Sequence, residues 1–333
     1  MDRQSIVQLS KEKVIPPFTL DESLTFYCPQ ENLEAFDNPI VADWHSFMSD
    51  RYEPPAAEGR RVMLILPCTK DKPYTMSKEH LAVNSHLLRC GFEPVRQAEV
   101  PDGLEDCLRD GYDRATLNND LLVRDDLCLH RFVISEPMGL VPYELIYHYQ
   151  GKMSPVSRYD DPGLFERRPN TVCPWRDDYT GVQNGRHLRW GENEKLAYVQ
   201  AHNRLVELIA KILKRLEPGY TRILAYVSPG LTHRSFLSSS EEKKASGIRM
   251  ARRIGGGTYP LEGVNDLHPG LVTIVPTNEG LDHILKAVEA RLILEDPSTT
   301  RAGARGYFAR GGGGATPLAL PESLETLERY LAP

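Results

Sequence analysis

Apolar residues run without a break from Val62 to Leu66, about the length of one strand, and stop at Pro67. A segment apolar on both faces predicts a central, parallel strand covered by other elements on each side. Pro67 to Met76 then reads as a loop, and Ser77 as the N-cap of a helix that reaches Cys90 and closes at Gly91. Arg131 to Ser135 predicts a second strand, which leads through Glu136 to Pro142 into a short helix carrying Glu144 to Tyr149. From Glu192 to Leu216 the apolar positions Leu196, Val199, Leu205, Leu208, Ile209, Ile212, Leu213 and Leu216 form one stripe, the signature of an amphipathic helix. Pro218-Gly219 ends it, and Thr221 to Val227 predicts a third strand. Leu271 to Val275 and Leu281 to Leu292 add a strand and a helix. Alternation of strand and helix predicts an α/β fold with a mainly parallel central sheet flanked by helices, and a smaller basic α+β unit at the C-terminal end.

Two stretches carry little periodicity. Residues 1–57 are broken by Pro16-Pro17, Pro29 and Pro54-Pro55 and read as an N-terminal wrap docked by Trp44 and Phe47. Residues 151–191, rich in Pro, Asp, Arg and Tyr, read as a long loop of the kind that carries function. The organisation expected is therefore a wrap over 1–57, a core domain over 58–240 and the basic unit over 241–333. With 333 residues, 41% hydrophobic and 26% charged, the composition excludes collagen-like, disordered and disulfide-scaffold chains. No apolar run approaches the ~20 residues of a membrane helix, and the first residues lack the apolar centre of a signal peptide, so a cytoplasmic protein is expected. A net charge of −6 leaves nucleic-acid binding open if basic residues gather on one face.

Six cysteines, Cys28, Cys68, Cys90, Cys107, Cys128 and Cys173, include no CxxC or CxC pair, which argues against a zinc ribbon, a redox pair or an iron–sulfur site. Cys68 stands apart. It falls where the first strand leaves the sheet, the edge at which open α/β sheets place their sites. With Lys70 and Lys72 beside it and a helix start nearby, it is expected to be a thiolate at neutral pH.

From Pro67 to His80 the sequence follows the pattern P-C-x3-K-P-Y-x2-S-x2-H, formed by Cys68, Lys72, Pro73, Tyr74, Ser77 and His80. This resembles the signature of the archaeosine synthase core domain, a family that acts on the nitrile of 7-cyano-7-deazaguanine in tRNA. Gly139-Leu-Val-Pro-Tyr-Glu-Leu145 is similar to that family's G-x-V-P-x-E-L segment, Tyr159-Asp160 to its Y-D, and Trp190-Gly-Glu-Asn-Glu194 to the W-x-x-x-E that opens its long helix. Tyr143 stands where the family commonly has arginine. No RNA-binding PUA segment or transglycosylase-like portion is legible, so the resemblance implies DNA more than tRNA as the carrier of the base. A transglycosylase that inserts the base would then act before this protein.

The resemblance implies an enzyme that hydrates the nitrile to a carboxamide, with no cofactor and no metal. Cys68 would be the nucleophile, Glu144 or Asp160 would activate water, and His80 or Lys72 would protonate the nitrile nitrogen. Lys70, Pro73, Tyr74, Ser77 and Trp190 would form the substrate pocket, Tyr74 by stacking on the base or hydrogen-bonding it. Two alternatives stay open: transfer of lysine's amine to the same nitrile, and binding of nucleic acid without catalysis. Lys243, Lys244, Arg249, Arg252 and Arg253 form a basic run without an acid, with the arginines at helical spacing, and are expected to contact phosphates. Arg305 and Arg310 are expected to join them from a flexible, positive segment that ends in the glycine run 311–314.

Overall fold

A computed structural model describes the chain except residues 1, 165, 167–170, 185–186, 230–231, 314–315 and 333. The fold is mixed α/β, with a central, mostly parallel sheet flanked by helices. Its strands are β1 (Arg60–Pro67), β2 (Glu93–Pro94), β3 (Leu122–Arg124), β4 (Leu127–Ser135), β5 (Gly139–Pro142), β6 (Arg222–Tyr226) and β7 (Thr273–Val275). They lie in the order β7-β6-β1-β4-β3-β2, with β5 also paired to β4. β1, β4, β6 and β7 are parallel, and β2, β3 and β5 run against their neighbours. From Val62 to Leu66, β1 is buried on both faces, which explains its unbroken apolar sequence.

Around the sheet lie α1 (Arg3–Lys11), α2 (Pro29–Glu34), α3 (Pro39–Ser46), α4 (Lys78–Arg89) and α5 (Glu192–Leu216). They are followed by α6 (Thr232–Leu237), α7 (Ser240–Ala245), α8 (Val264–Leu267), α9 (Asn278–Glu295), α10 (Arg301–Ala309) and α11 (Pro321–Leu331). Leu205, Val206, Ile209, Ile212, Leu213 and Leu216 of α5 are buried in the main core. Leu81, Val83 and Leu87 of α4 are buried there too, and Ser77 caps α4 by accepting from the His80 amide at 3.2 Å.

The strands expected over 61–66, 131–135, 221–227 and 271–275 and the helices over 77–90, 192–216 and 281–292 are all present, within a few residues at their ends. The segment 139–142 is not a plain lead into a helix but the strand β5, and residues 143–145 form only a single tight turn. Gly139, at φ 79°, makes the β4–β5 reversal; a Cβ there would meet the Leu208 side chain at 3.1 Å.

Neither end of the chain is set apart from this core. Phe18, Leu24, Phe26 and Trp44 of the N-terminal segment are buried in it, and so are Leu324, Leu327 and Leu331 of α11. β7, from the segment expected to be a separate basic unit, is a strand of the central sheet. Arg301–Ala309, expected to be flexible, is the helix α10, packed on α9. Of the glycine run, residues 311–313 form a short turn and Gly314 lies outside the described residues.

Candidate active site

β1 is the middle of the parallel sheet, with β4 on one side and β6 on the other, so the chain's path reverses direction across the sheet at this strand. Loops leaving the C-terminal ends of strands at such a point diverge and leave a crevice. Cys68 follows β1, Glu136 follows β4, and His233 lies in α6 after β6. The three converge. Cys68 Sγ is 3.1 Å from His233 Nε2, although the residues are 165 apart in sequence, and Glu136 Oε2 is 3.9 Å from the same nitrogen.

These residues line a cavity of about 520 Å³, together with Glu79, Tyr159 and Asp161. Lys70 and Lys78 are exposed at its wall. Ser77 also lines it, its oxygen held by the α4 cap. Arg109 lines it as well, donating to Asp71 Oδ2 at 2.8 Å and to the Met76 carbonyl at 3.3 Å.

Burial sets the protonation states. It pushes the Cys68 thiol up to about 11, against the opposing pull of Lys72. The thiolate expected from neighbouring lysines is therefore not the resting form; the thiol needs a base. Burial lowers the His233 imidazole below its usual range, which keeps the ring neutral at pH 7 beside the thiol. It pushes the Glu79 carboxyl up to about 7, and raises Glu136 and Asp161. Among the described residues, Glu79 Oε1, Glu136 Oε1, Asp161 Oδ2 and His233 Nδ1 are buried without a hydrogen-bond partner. Four such atoms around one cavity mark a place where a polar ligand would complete the hydrogen bonding. Cys68, Glu136 and His233 also offer ligand atoms within 4.8 Å of one another, a set able to hold a divalent ion.

The remaining motif residues support the site from behind. Lys72 is buried below Cys68, donates to the Thr69 carbonyl at 2.5 Å, and sits over the rings of Tyr159 at 4.6 Å and Tyr74 at 5.0 Å. Burial lowers its ammonium from the usual lysine range. Tyr74 is buried with its hydroxyl 2.7 Å from that of Tyr159 and its ring stacked on His80, so it offers no face to a base. Pro73 is buried beside it. His80 has both ring nitrogens occupied, Nδ1 by the Tyr143 hydroxyl at 2.5 Å and Nε2 by the Pro67 carbonyl at 2.9 Å. Its imidazole is pushed down to about 4 by burial, and it holds the strand end that presents Cys68.

Glu144, Asp160 and Trp190 are held elsewhere. Glu144 takes bonds from Tyr52 at 2.5 Å and His130 at 3.0 Å within a buried cluster. Asp160 accepts from Ser10 at 2.6 Å and Lys13 at 2.5 Å, tying the N-terminal segment down; its neighbour Asp161 is the one that lines the cavity. Trp190 packs against Tyr198 in a separate apolar cluster.

The basic run is not one helix face. α7 ends at Ala245, and Ala251–Ile254 is a strand of a hairpin with Gly257–Pro260, so neighbouring arginines alternate sides. Lys243 is buried, donates to the Leu261 carbonyl at 2.5 Å, and is pushed down to about 8 by that burial. Arg252 is buried against Trp190 and Tyr198 and bonds Glu166, which also pairs with Arg249 at 3.3 Å. Lys244, Arg253, Arg305 and Arg310 are exposed.

No family model, curated protein or solved structure matches this chain. Among the described residues, no helix is long and apolar enough to cross a membrane.

Proposed function

We propose that this protein is a cysteine-dependent enzyme that adds water to the nitrile of 7-cyano-7-deazaguanine carried in DNA, giving the carboxamide. The observation that carries the chemistry is the Cys68–His233 contact of 3.1 Å at the switch point of the sheet. The nitrile base as substrate rests on the sequence resemblance from Cys68 to Glu194. The unpartnered carboxyl oxygens of Glu79, Glu136 and Asp161 can accept from the N–H donors of a guanine-like edge and, where protonated, donate to its acceptors.

The steps follow from these residues. His233 Nε2 takes the Cys68 proton as sulfur bonds to the nitrile carbon, and the proton passes to the nitrile nitrogen, leaving a thioimidate. Water adds to that carbon, with His233 accepting its proton. That proton passes to the nitrogen, the carbon–sulfur bond breaks as the added hydroxyl becomes the carbonyl, and the hydroxyl proton returns to Cys68 as the carboxamide leaves. Glu79, with a carboxyl near pH 7, is matched to proton transfer to the nitrogen.

A second reading is favoured by the ligand spacing of Cys68, Glu136 and His233: a divalent ion held there would activate water directly. Nucleoside mass spectrometry of DNA containing the nitrile base, incubated with the protein, tests both. A gain of one water that is insensitive to chelators and to added lysine supports the covalent reading. Loss on chelation supports the metal reading, a lysine-sized gain makes the protein a transferase, and binding without conversion removes catalysis. Full activity in Cys68→Ser would sink the nucleophile.

A further inference from the structure

Far along α4 from the cavity, His86 and Cys90 stand four residues apart on one helix face, opposite Glu328 of α11. His86 Nε2 is 3.4 Å from Cys90 Sγ, and Cys90 Sγ is 3.2 Å from Glu328 Oε2. All three ligand atoms lie within 4.8 Å of one another. We propose that His86, Cys90 and Glu328 form a second, structural site for a zinc-type divalent transition ion, with solvent as its fourth ligand.

Ligand chemistry and spacing carry the argument. A sulfur and a nitrogen or oxygen donor at zinc distances in a tetrahedron lie about 3.6 Å apart, within a few tenths of an ångström of the two separations above. His86 turns its Nε2 toward the thiol, the orientation a ligand nitrogen needs. Arg124 donates to the other Glu328 oxygen at 3.1 Å and fixes the carboxylate, leaving Oε2 toward Cys90. Binding releases the Cys90 proton to solvent and offsets the dication with one thiolate and one carboxylate.

Among the described residues, the other thiol-containing cluster outside the candidate active site, Cys28, Glu31 and Cys173, is less suited. There Glu31 Oε2 already accepts from the Tyr27 amide at 2.7 Å, and Arg3 stands 3.9 Å from its other oxygen. The proposed ion has a structural consequence: it would fasten α11 to α4, whose first turn brings Glu79 to the cavity.

Cobalt(II) added to the full-length protein tests the assignment through its thiolate charge-transfer band. Cobalt held by Cys68 would give a band of its own, so the readings are made in Cys68→Ser: there the band is expected, unchanged on adding Cys28→Ser, lost on adding Cys90→Ser and strongly weakened on adding His86→Gln. Zinc should raise the melting temperature of Cys68→Ser but not of the Cys68→Ser/Cys90→Ser double variant. That variant's own folding is checked by its melting transition without metal. A band in Cys68→Ser that survives the added Cys90→Ser change would overturn the assignment, as would the absence of any band in Cys68→Ser.

Discussion

Replacing His233 by glutamine removes the only imidazole in contact with Cys68 among the described residues while keeping a polar side chain of similar length. The thiol is pushed up to about 11. At pH 7 only about one thiol in 10⁴ would then be ionised without a base. General-base catalysis is worth about 10²–10⁴-fold, so the variant should lose at least about a hundredfold in the first-turnover rate at pH 7. The pH profile should change as well. In the wild type His233 is neutral near pH 7, so the rate should be flat from there upward and fall on the acid side as the ring protonates. In the variant, the rate should climb about tenfold per pH unit toward pH 10, following the thiolate. Single-turnover assays on DNA containing the nitrile base measure both, with melting curves to establish that the variant is folded. A variant within tenfold of the wild type at pH 7, with the same flat profile, would refute the role of His233.

Other consequences are open to measurement. Glu79 holds its proton up to about pH 7 in the fold, whereas an unfolded glutamate loses it near 4.5. Stability should therefore fall as pH rises between those values, by up to about 3 kcal/mol, and level off above. Glu79→Gln should remove that loss, so its stability advantage in denaturant should open over the same window; an advantage that does not vary with pH would contradict the burial argument. Arg131→Met should cost about 3–5 kcal/mol in chemical denaturation, because buried Arg131 serves Asn84 Oδ1 at 2.7 Å and the carbonyls of Asn118 at 2.9 Å and Asp120 at 2.7 Å. A cost below 1 kcal/mol would show that those acceptors find other partners. Lys243→Met should leave the salt dependence of DNA binding unchanged, whereas joint substitution of exposed Lys244 and Arg253 should make its slope shallower by about 1–2 if both reach phosphates.

The central strand, the α4 cap and the long helix α5 are legible in the sequence because local burial dictates them: β1 is covered on both faces, and α5 presents one stripe. The position of Cys68 is legible for the same reason, as a thiol at the end of a buried strand. His233 and Glu136 are not, since only the parallel order β4-β1-β6 brings their loops together. The available signal was positional: each follows a predicted strand, as Cys68 does. Lys72, Tyr74 and His80 belong to the motif yet lie beneath the cavity, where their spacing serves packing and hydrogen bonding. Lys243 and Arg252 show the matching difficulty for charge. A basic run in sequence says nothing of which stems are buried, and here a hairpin turns alternate arginines inward.

Rapid-quench peptide mapping during the first turnover on DNA containing the nitrile base tests the covalent chemistry most directly. The peptide bearing Cys68 should gain the mass of the bound nucleotide fragment before the carboxamide appears, and lose it as product forms. Carboxamide accumulating through the first turnover while that peptide stays unmodified would contradict it.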